Sequence, residues 1–211
     1  MDKKNLLSMI MCGGKSTRIK NFIPTAEKPL IKINNKYMIE HVIEVLVKSK
    51  CFSNIVANVS HNTPKTCSFL YKEYYRNRHI IDIFHGKGSG YSEDLSYFLK
   101  SCNKKIIFTV PSDLPLLSVR IIKKIIDSYR EEQCLSIIIG KYFVESLGIR
   151  PSIFFKFNGS DYCYSGISIF NTSKISYNED IKEKYMILNK KEIAVNINEK
   201  KDLKFILDNL I

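Results

Sequence analysis

The apolar positions of this chain fall in short runs whose period changes along its length. Leu6 to Met11 is a mostly apolar run that ends at Gly13 and Gly14, the pattern of a buried parallel strand entering a tight loop. Lys28 to Ile33 reads as extended and Asn34 and Asn35 as a turn. Tyr37 to Lys50 then carries Met38, Ile39, Val42, Ile43, Leu46 and Val47 at helical spacing. Asn54 to Val59 is a second strand, and Thr63, with Pro64 at a first helical position, opens a helix through Leu70 and Tyr74. His79 to Phe84 is a third strand, His85 to Tyr91 a loop holding Gly86, Gly88 and Gly90, and Ser92 to Lys100 a helix. Lys105 to Val110 is an apolar strand that stops at Pro111; after the loop Ser112 to Leu117, a helix runs from Ser118 to about Glu131.

The last third changes character. Leu135 to Gly140, Ser152 to Phe157, Tyr162 to Phe170, Lys184 to Leu188 and Ile193 to Ile197 are strand-like, Asn158 and Gly159 supply a hairpin turn, and Lys200 to Leu210 is a closing helix. Strand and helix alternate through the first two thirds. With right-handed crossovers this predicts an α/β fold, a doubly wound, mainly parallel Rossmann-like sheet with antiparallel additions in the C-terminal third. The length of 211 residues suits one domain spanning residues 1–211.

A formal charge of +12 suits a polyanionic partner but does not choose among nucleic acid, a membrane surface and small polyphosphates. The basic residues are dispersed, without the clustered, aromatic-interleaved stripe of a nucleic-acid surface, so no nucleic-acid partner is expected. No run approaches a membrane span of roughly 18 apolar residues. Lys3, Lys4 and the stretch to Cys12 superficially resemble a lipoprotein signal, but the stretch is short, Met11 precedes the cysteine, and Lys15 and Arg18 follow at once. The six cysteines and four histidines are widely spaced, which argues for reduced thiols in a cytoplasmic protein and against a zinc site or a Cys/His catalytic pair. Oligomeric state is not decided, and a homodimer stays open.

The segment Cys12-Gly13-Gly14-Lys15-Ser16-Thr17-Arg18 directly follows the first strand. Ligands of open α/β sheets bind at the carboxyl ends of strands, where glycines let backbone N–H groups approach phosphate oxygens. The segment matches neither the dinucleotide fingerprint nor the Walker loop. Glu27-Lys28-Pro29-Leu30 follows, with Lys28 on an extended backbone before proline.

These two segments, with Ser112-Asp113-Leu114-Pro115 after a strand, resemble the nucleotidyltransferase superfamily that includes molybdenum-cofactor guanylyltransferases and sugar-phosphate nucleotidyltransferases. Asn62-Thr63-Pro64-Lys65-Thr66, Gly86-Lys87-Gly88 with Glu93-Asp94-Leu95, Phe157-Asn158-Gly159, Gly166-Ile167 and Asn196-Ile197-Asn198 are similar, in order, to the archaeal GTP:adenosylcobinamide-phosphate guanylyltransferases. The resemblance implies a sheet of the nucleotide-diphospho-sugar transferase type, with GTP and adenosylcobinamide phosphate as substrates in cobalamin assembly. It implies Arg18, Lys28 and Asp113 as catalytic residues. It implies nucleotide binding by Gly13, Gly14, Lys15, Thr17, Asn62, Gly86, Gly88, Gly166 and Asn196. It also implies Mg²⁺ on Asp113, with Asn198 a weak neutral ligand where relatives supply a second carboxylate. Two departures stand out: Ser16 replaces the loop's usual third glycine, and the segment Gly86 to Tyr91 is longer than in the family.

The implied reaction needs no general base, because the attacking acceptor phosphate is already anionic; positioning and charge stabilisation suffice. The alternatives are transfer to molybdopterin or a sugar phosphate, and a nucleotide binder without activity. Tyr74, Tyr75 and Tyr164, read as exposed, could stack on a corrin, but tyrosines at such spacing more often serve amphipathic packing, and they are left out of the site.

Overall fold

The computed structural model describes residues 6–20, 23–24, 27–77, 79–102, 105–149, 153–176, 178–196 and 202, the side chains of Arg18 and Lys20 excepted. β1 (Leu6–Met11), β4 (Asn54–Val59), β5 (Asp82–His85) and β6 (Ile106–Pro111) form the parallel half of an eight-stranded sheet, in the spatial order β5, β4, β1, β6. β7 (Cys134–Gly140), β8 (Phe155–Phe157), β9 (Ser160–Asn171) and β10 (Glu183–Ile187) complete it. β9 lies between β6 and β7 and pairs antiparallel with both and with β8, whereas β10 pairs parallel with β7. The antiparallel additions expected of the last third therefore enter through one reversed strand.

The sheet is covered unequally. A large core packs α2 (Met38–Ser49) and α5 (Val119–Ser128) on one face, while a smaller cluster around Met9, Phe98, Ile107 and Phe170 lies under α4 (Tyr91–Ser101) on the other. Burial of Met38, Ile39, Val42, Ile43 and Leu46, all at most 1% exposed, is what the helical spacing demanded. Asn34 and Asn35 both adopt positive φ in the turn between β2 (Lys32–Ile33) and β3 (Lys36–Tyr37), a small separate ribbon. Asn158 and Gly159 likewise have positive φ, as a two-residue hairpin between β8 and β9 requires.

Four readings of the sequence are corrected. Lys28–Leu30 is a 3₁₀ turn, not extended chain, closed by Leu30 N–H to the Glu27 carbonyl at 2.9 Å. The third strand begins at Asp82, because the N–H groups of His79 and Ile80 bond back to Tyr75 and Tyr74 at the end of the preceding helix. The strand expected at Ile193 to Ile197 gives way at Ile193 and Ala194 to the helical turn α7 (Lys191–Ala194), since a short apolar run does not distinguish strand from helix. Tyr74 is buried and bonded to Glu40. Of the closing helix only Asp202, helical and buried, lies among the described residues.

α3 (Pro64–Leu70) continues in π-helical form over Tyr71–Arg76. Its first-turn donors find a partner in a residue far away in sequence: the buried Glu27 carboxylate accepts from Lys65 N at 2.8 Å and from Thr66 N and Thr66 Oγ1 at 2.6 Å. An anion at a helix N-terminus also complements the helix dipole. Glu27→Ala orphans these groups and is expected to lower the urea-unfolding free energy by about 2–3 kcal/mol. A change below about 0.5 kcal/mol, the usual range of a surface substitution, would rule out this clamp.

Candidate active site

Chain order reverses in space around β1, with β4 and β5 to one side and β6 to the other, so the loops leaving β1 and β6 diverge. A crevice at this switch point is where open α/β sheets bind ligands. Here it is a cleft of about 460 Å³ lined by the glycine loop after β1, Lys28 and Pro29, the segment Gly88–Asp94, and Ser112 and Asp113 after β6.

Gly13, Gly14, Lys15 and Thr17 all line this cleft. A Cβ on Gly13 would sit 3.1 Å from Ser60 Cβ, whereas one on Gly14 would meet nothing within 4 Å. The first glycine thus permits close packing on β4's exit, and the second leaves the cleft unfilled. Ser16, in the place of a usual glycine, takes φ 54°, the left-handed conformation glycine would favour. Its hydroxyl accepts from Lys28 N at 3.1 Å, tying the glycine loop to the Lys28 segment. Arg18 starts in the short helix α1 (Thr17–Lys20), and its side chain lies outside what is described.

Lys28 Nζ is ion-paired with Asp113 Oδ2, their side chains 17% and 10% exposed. The two charged residues singled out in sequence, 85 positions apart, are brought together across the mouth of the crevice. Asn198 lies outside the described residues, and among the described residues no group of three His, Cys, Asp or Glu could hold a metal.

Asn62 joins two loops: its Nδ2 lies 3.1 Å from the Gly88 carbonyl and 3.5 Å from that of Gly13, while Ser60 Oγ donates to Gly13 O at 2.7 Å. Asp94, in the first turn of α4 and 3% exposed, accepts from Gly88 N at 2.9 Å and closes the same network. Gly86 packs beside it, where a Cβ would come within 2.5 Å of Asn58 Oδ1. Asp94 and Ser60 were not singled out from the sequence. An acidic residue in the first helical turn after a glycine-rich loop was the available signal for Asp94.

Gly166 and Asn196, expected at the nucleotide and acceptor side, line a second cavity of about 730 Å³. It shares Lys28, Tyr91, Pro111 and Asp113 with the first. Between Ser136 and Ile138 the register of β7 against β9 slips, and Gly166 occupies the resulting irregularity with φ 83°. A Cβ there would lie 3.0 Å from Pro111 Cγ, so glycine is what lets β9 approach the Asp113 loop. Tyr91, also missed in sequence, donates its hydroxyl to Gly166 O at 3.1 Å and stands where the cavities meet. Burial of that hydroxyl pushes its pKa up to about 12, so it remains a neutral donor near pH 7.

The arrangement offers anion-binding backbone, a cation, a carboxylate and two adjoining chambers. A covalent nucleophile does not fit it: burial raises the Cys12 thiol well above its ordinary range, and its sulfur faces the Ile10 carbonyl at 3.4 Å.

The MobA-like NTP transferase domain model matches residues 8–153. The adenosylcobinamide-phosphate guanylyltransferase of Methanocaldococcus jannaschii is 34% identical over 206 residues, covering 93% of each chain. Among solved structures, a hypothetical transferase from Thermus thermophilus superposes with TM-score 0.67 at 13% identity, over 94% of this chain and 99% of its own. The 4-diphosphocytidyl-2C-methyl-D-erythritol synthase of Anaerococcus prevotii does so with TM-score 0.65 at 13% identity, over 99% of both chains. These structures share the fold, and the sequence matches carry the relationship further. This chain belongs to the MobA-like NTP transferase family.

Proposed function

We propose that this protein transfers GMP from GTP to adenosylcobinamide phosphate, releasing pyrophosphate, as a cytoplasmic step of cobalamin assembly. What carries the reading is the likeness along nearly the whole chain to the Methanocaldococcus guanylyltransferase. The geometry supports it with a cleft of about 460 Å³ and a larger chamber of about 730 Å³ meeting at Lys28 and Asp113.

In this reading Gly13, Gly14, Lys15 and Thr17 hold the triphosphate. Asn62 and Asp94 fix the Gly86 to Gly88 loop against which the base packs, and Gly166 and Asn196 shape the acceptor side. An acceptor phosphate oxygen attacks the α-phosphorus in line, and Lys28 and Arg18 stabilise the charge that moves to pyrophosphate. Tyr91 and Pro111 separate the substrates without closing the passage between them. Asp113 fits a hard cation as the single protein carboxylate completed by phosphate oxygens and water, a usual Mg²⁺ arrangement. When bound there, Mg²⁺ neutralises phosphate charge. Asn198 could add only a neutral oxygen.

The test is pyrophosphate release with Mg²⁺ and GTP, ATP, CTP or UTP, each with and without adenosylcobinamide phosphate. Release requiring both GTP and the corrinoid is expected. Release with molybdopterin or a sugar phosphate instead would move the acceptor, and nucleotide binding without turnover would make the protein a binder.

A further inference from the structure

The second cavity is built of different material from the phosphate cleft. Paired residues of adjacent strands share a sheet face, so Ser136 with Ser168 and Ile138 with Tyr164 lie on one face of β7 and β9. Ser136 and Ser168 line the floor, and their hydroxyls bond each other at 3.1 Å. On one side stand Tyr91 and Leu95 of α4, and on the other Tyr164.

Tyr164 is 49% exposed, yet it is fixed on several sides. Its ring stacks on Phe155 with centroids 4.7 Å apart and planes 22° from parallel. Its hydroxyl donates to Glu183 at 3.0 Å and lies 3.3 Å from the Tyr185 hydroxyl. Tyr185 also packs on Phe155 at 5.4 Å and Phe157 at 4.9 Å, so the three strands β8, β9 and β10 all brace the wall. Ring-stacking and hydroxyl bonds define an orientation that exposed tyrosines usually lack, and a braced aromatic binds a flat ligand with little further ordering cost.

The chemistry of the lining limits its occupant. A sugar phosphate presents many hydroxyls and needs matching polar side chains. This groove offers an aromatic wall and aliphatic carbon beside Ser92 and Asn196, while Ser136 and Ser168 bond each other, Ser165 bonds the Ile137 carbonyl and Glu183 accepts from Tyr164. It is continuous with the phosphate cleft at Lys28 and Asp113, so an acceptor whose phosphate reaches the GTP must lay the rest of itself here.

We propose that Tyr164, held by Phe155, Glu183 and Tyr185, is the stacking wall for the flat conjugated ring of the acceptor and selects a macrocyclic acceptor over a sugar phosphate. The proposal rests on the acceptor reading given above.

Steady-state kinetics at saturating GTP on Tyr164→Leu and Tyr164→Phe test it. Leucine keeps apolar bulk and removes the π-face; phenylalanine keeps the ring and removes the hydroxyl bonds. The leucine variant should raise the adenosylcobinamide-phosphate KM about tenfold, the scale of a lost aromatic stack. Its KM for GTP should stay within about twofold, the pattern of a lost ground-state contact; phenylalanine, which keeps the stack on Phe155 but loses the bonds to Glu183 and Tyr185, should raise the acceptor KM by no more than about threefold, less than leucine. Equal acceptor KM in all three proteins, or an equal loss in both variants, would overturn the stacking role while leaving the reaction assignment intact. Failure of the unaltered protein to use the corrinoid would overturn both.

Discussion

Asp113→Asn is expected to lower kcat for GMP transfer by about 10²- to 10³-fold, the scale of losing one preorganised charge interaction in a phosphoryl or acyl transition state. The substitution is nearly isosteric and Asp113 is only 7% exposed, so the loop after β6 keeps its shape. What changes is charge. Lys28 loses the carboxylate with which it is paired, and breaking such a partly buried pair should also lower stability by about 1–3 kcal/mol. The kinetic measurement is therefore made well below the shifted melting temperature.

Two readouts separate a catalytic Asp113 from one that merely holds Lys28. If the carboxylate serves as a cation ligand shared with the triphosphate, Asp113→Asn should need at least about tenfold more Mg²⁺ for half-maximal rate, a ligand loss worth about 1.4 kcal/mol. If it serves only as a partner for the ammonium group, removing both members should restore the stability that removing one costs, and the double-mutant cycle with Lys28→Met, read in unfolding free energy because Lys28 itself acts in catalysis, measures that coupling. An unchanged Mg²⁺ dependence with full recovery in the double variant would reduce Asp113 to a structural counter-ion.

That Lys28 and Asp113 belong together was legible through the family resemblance; from the residues alone only Asp113, at a strand exit, sits where topology places a ligand crevice. β1 and β4 were readable to their last residues for a related reason: buried parallel strands are apolar throughout and end at turn residues. The same signal misled at Ile193 to Ile197, where Ile193, Ala194 and Val195 are buried in the core but Ile193 and Ala194 take a helical turn, which a short apolar run does not distinguish from a strand. Ser16 and Tyr91 were illegible as site residues because their roles are tertiary. The Ser16 hydroxyl matters only once Lys28 N lies 3.1 Å away. Tyr91 becomes a divider only when β9 brings Gly166 to its hydroxyl from 75 residues later. Gly166 was flagged as special and lines the larger cavity, where a glycine announces a close backbone approach without naming what approaches.

Gly88→Ala is expected to raise the KM for GTP by about 10- to 100-fold, equivalent to about 1.4–2.8 kcal/mol of lost binding. Two costs combine at this position. The backbone has φ 73°, where a Cβ is strained by roughly 1–2 kcal/mol. The added methyl would also fall 2.6 Å from His61 Cε1 and 2.7 Å from Asn62 Nδ2, so something must move. His61 is exposed and can swing away, but Asn62 cannot shift without releasing the Gly13 and Gly88 carbonyls that it spans. The Gly86 to Gly90 loop and the glycine loop after β1 would then lose their common register. Gly148→Ala supplies the control, because Gly148 has nearly the same φ, 71°, with nothing within 4 Å of a new Cβ and no place in either cavity. It should show the backbone strain as a fall in unfolding free energy of about 1 kcal/mol, with the KM for GTP unchanged. Equal kinetic effects from the two substitutions would mean that general destabilisation, not the Asn62 bridge, governs nucleotide affinity. An effect confined to Gly88→Ala, and surviving in a His61→Ala background, would assign the bridge its role in holding GTP.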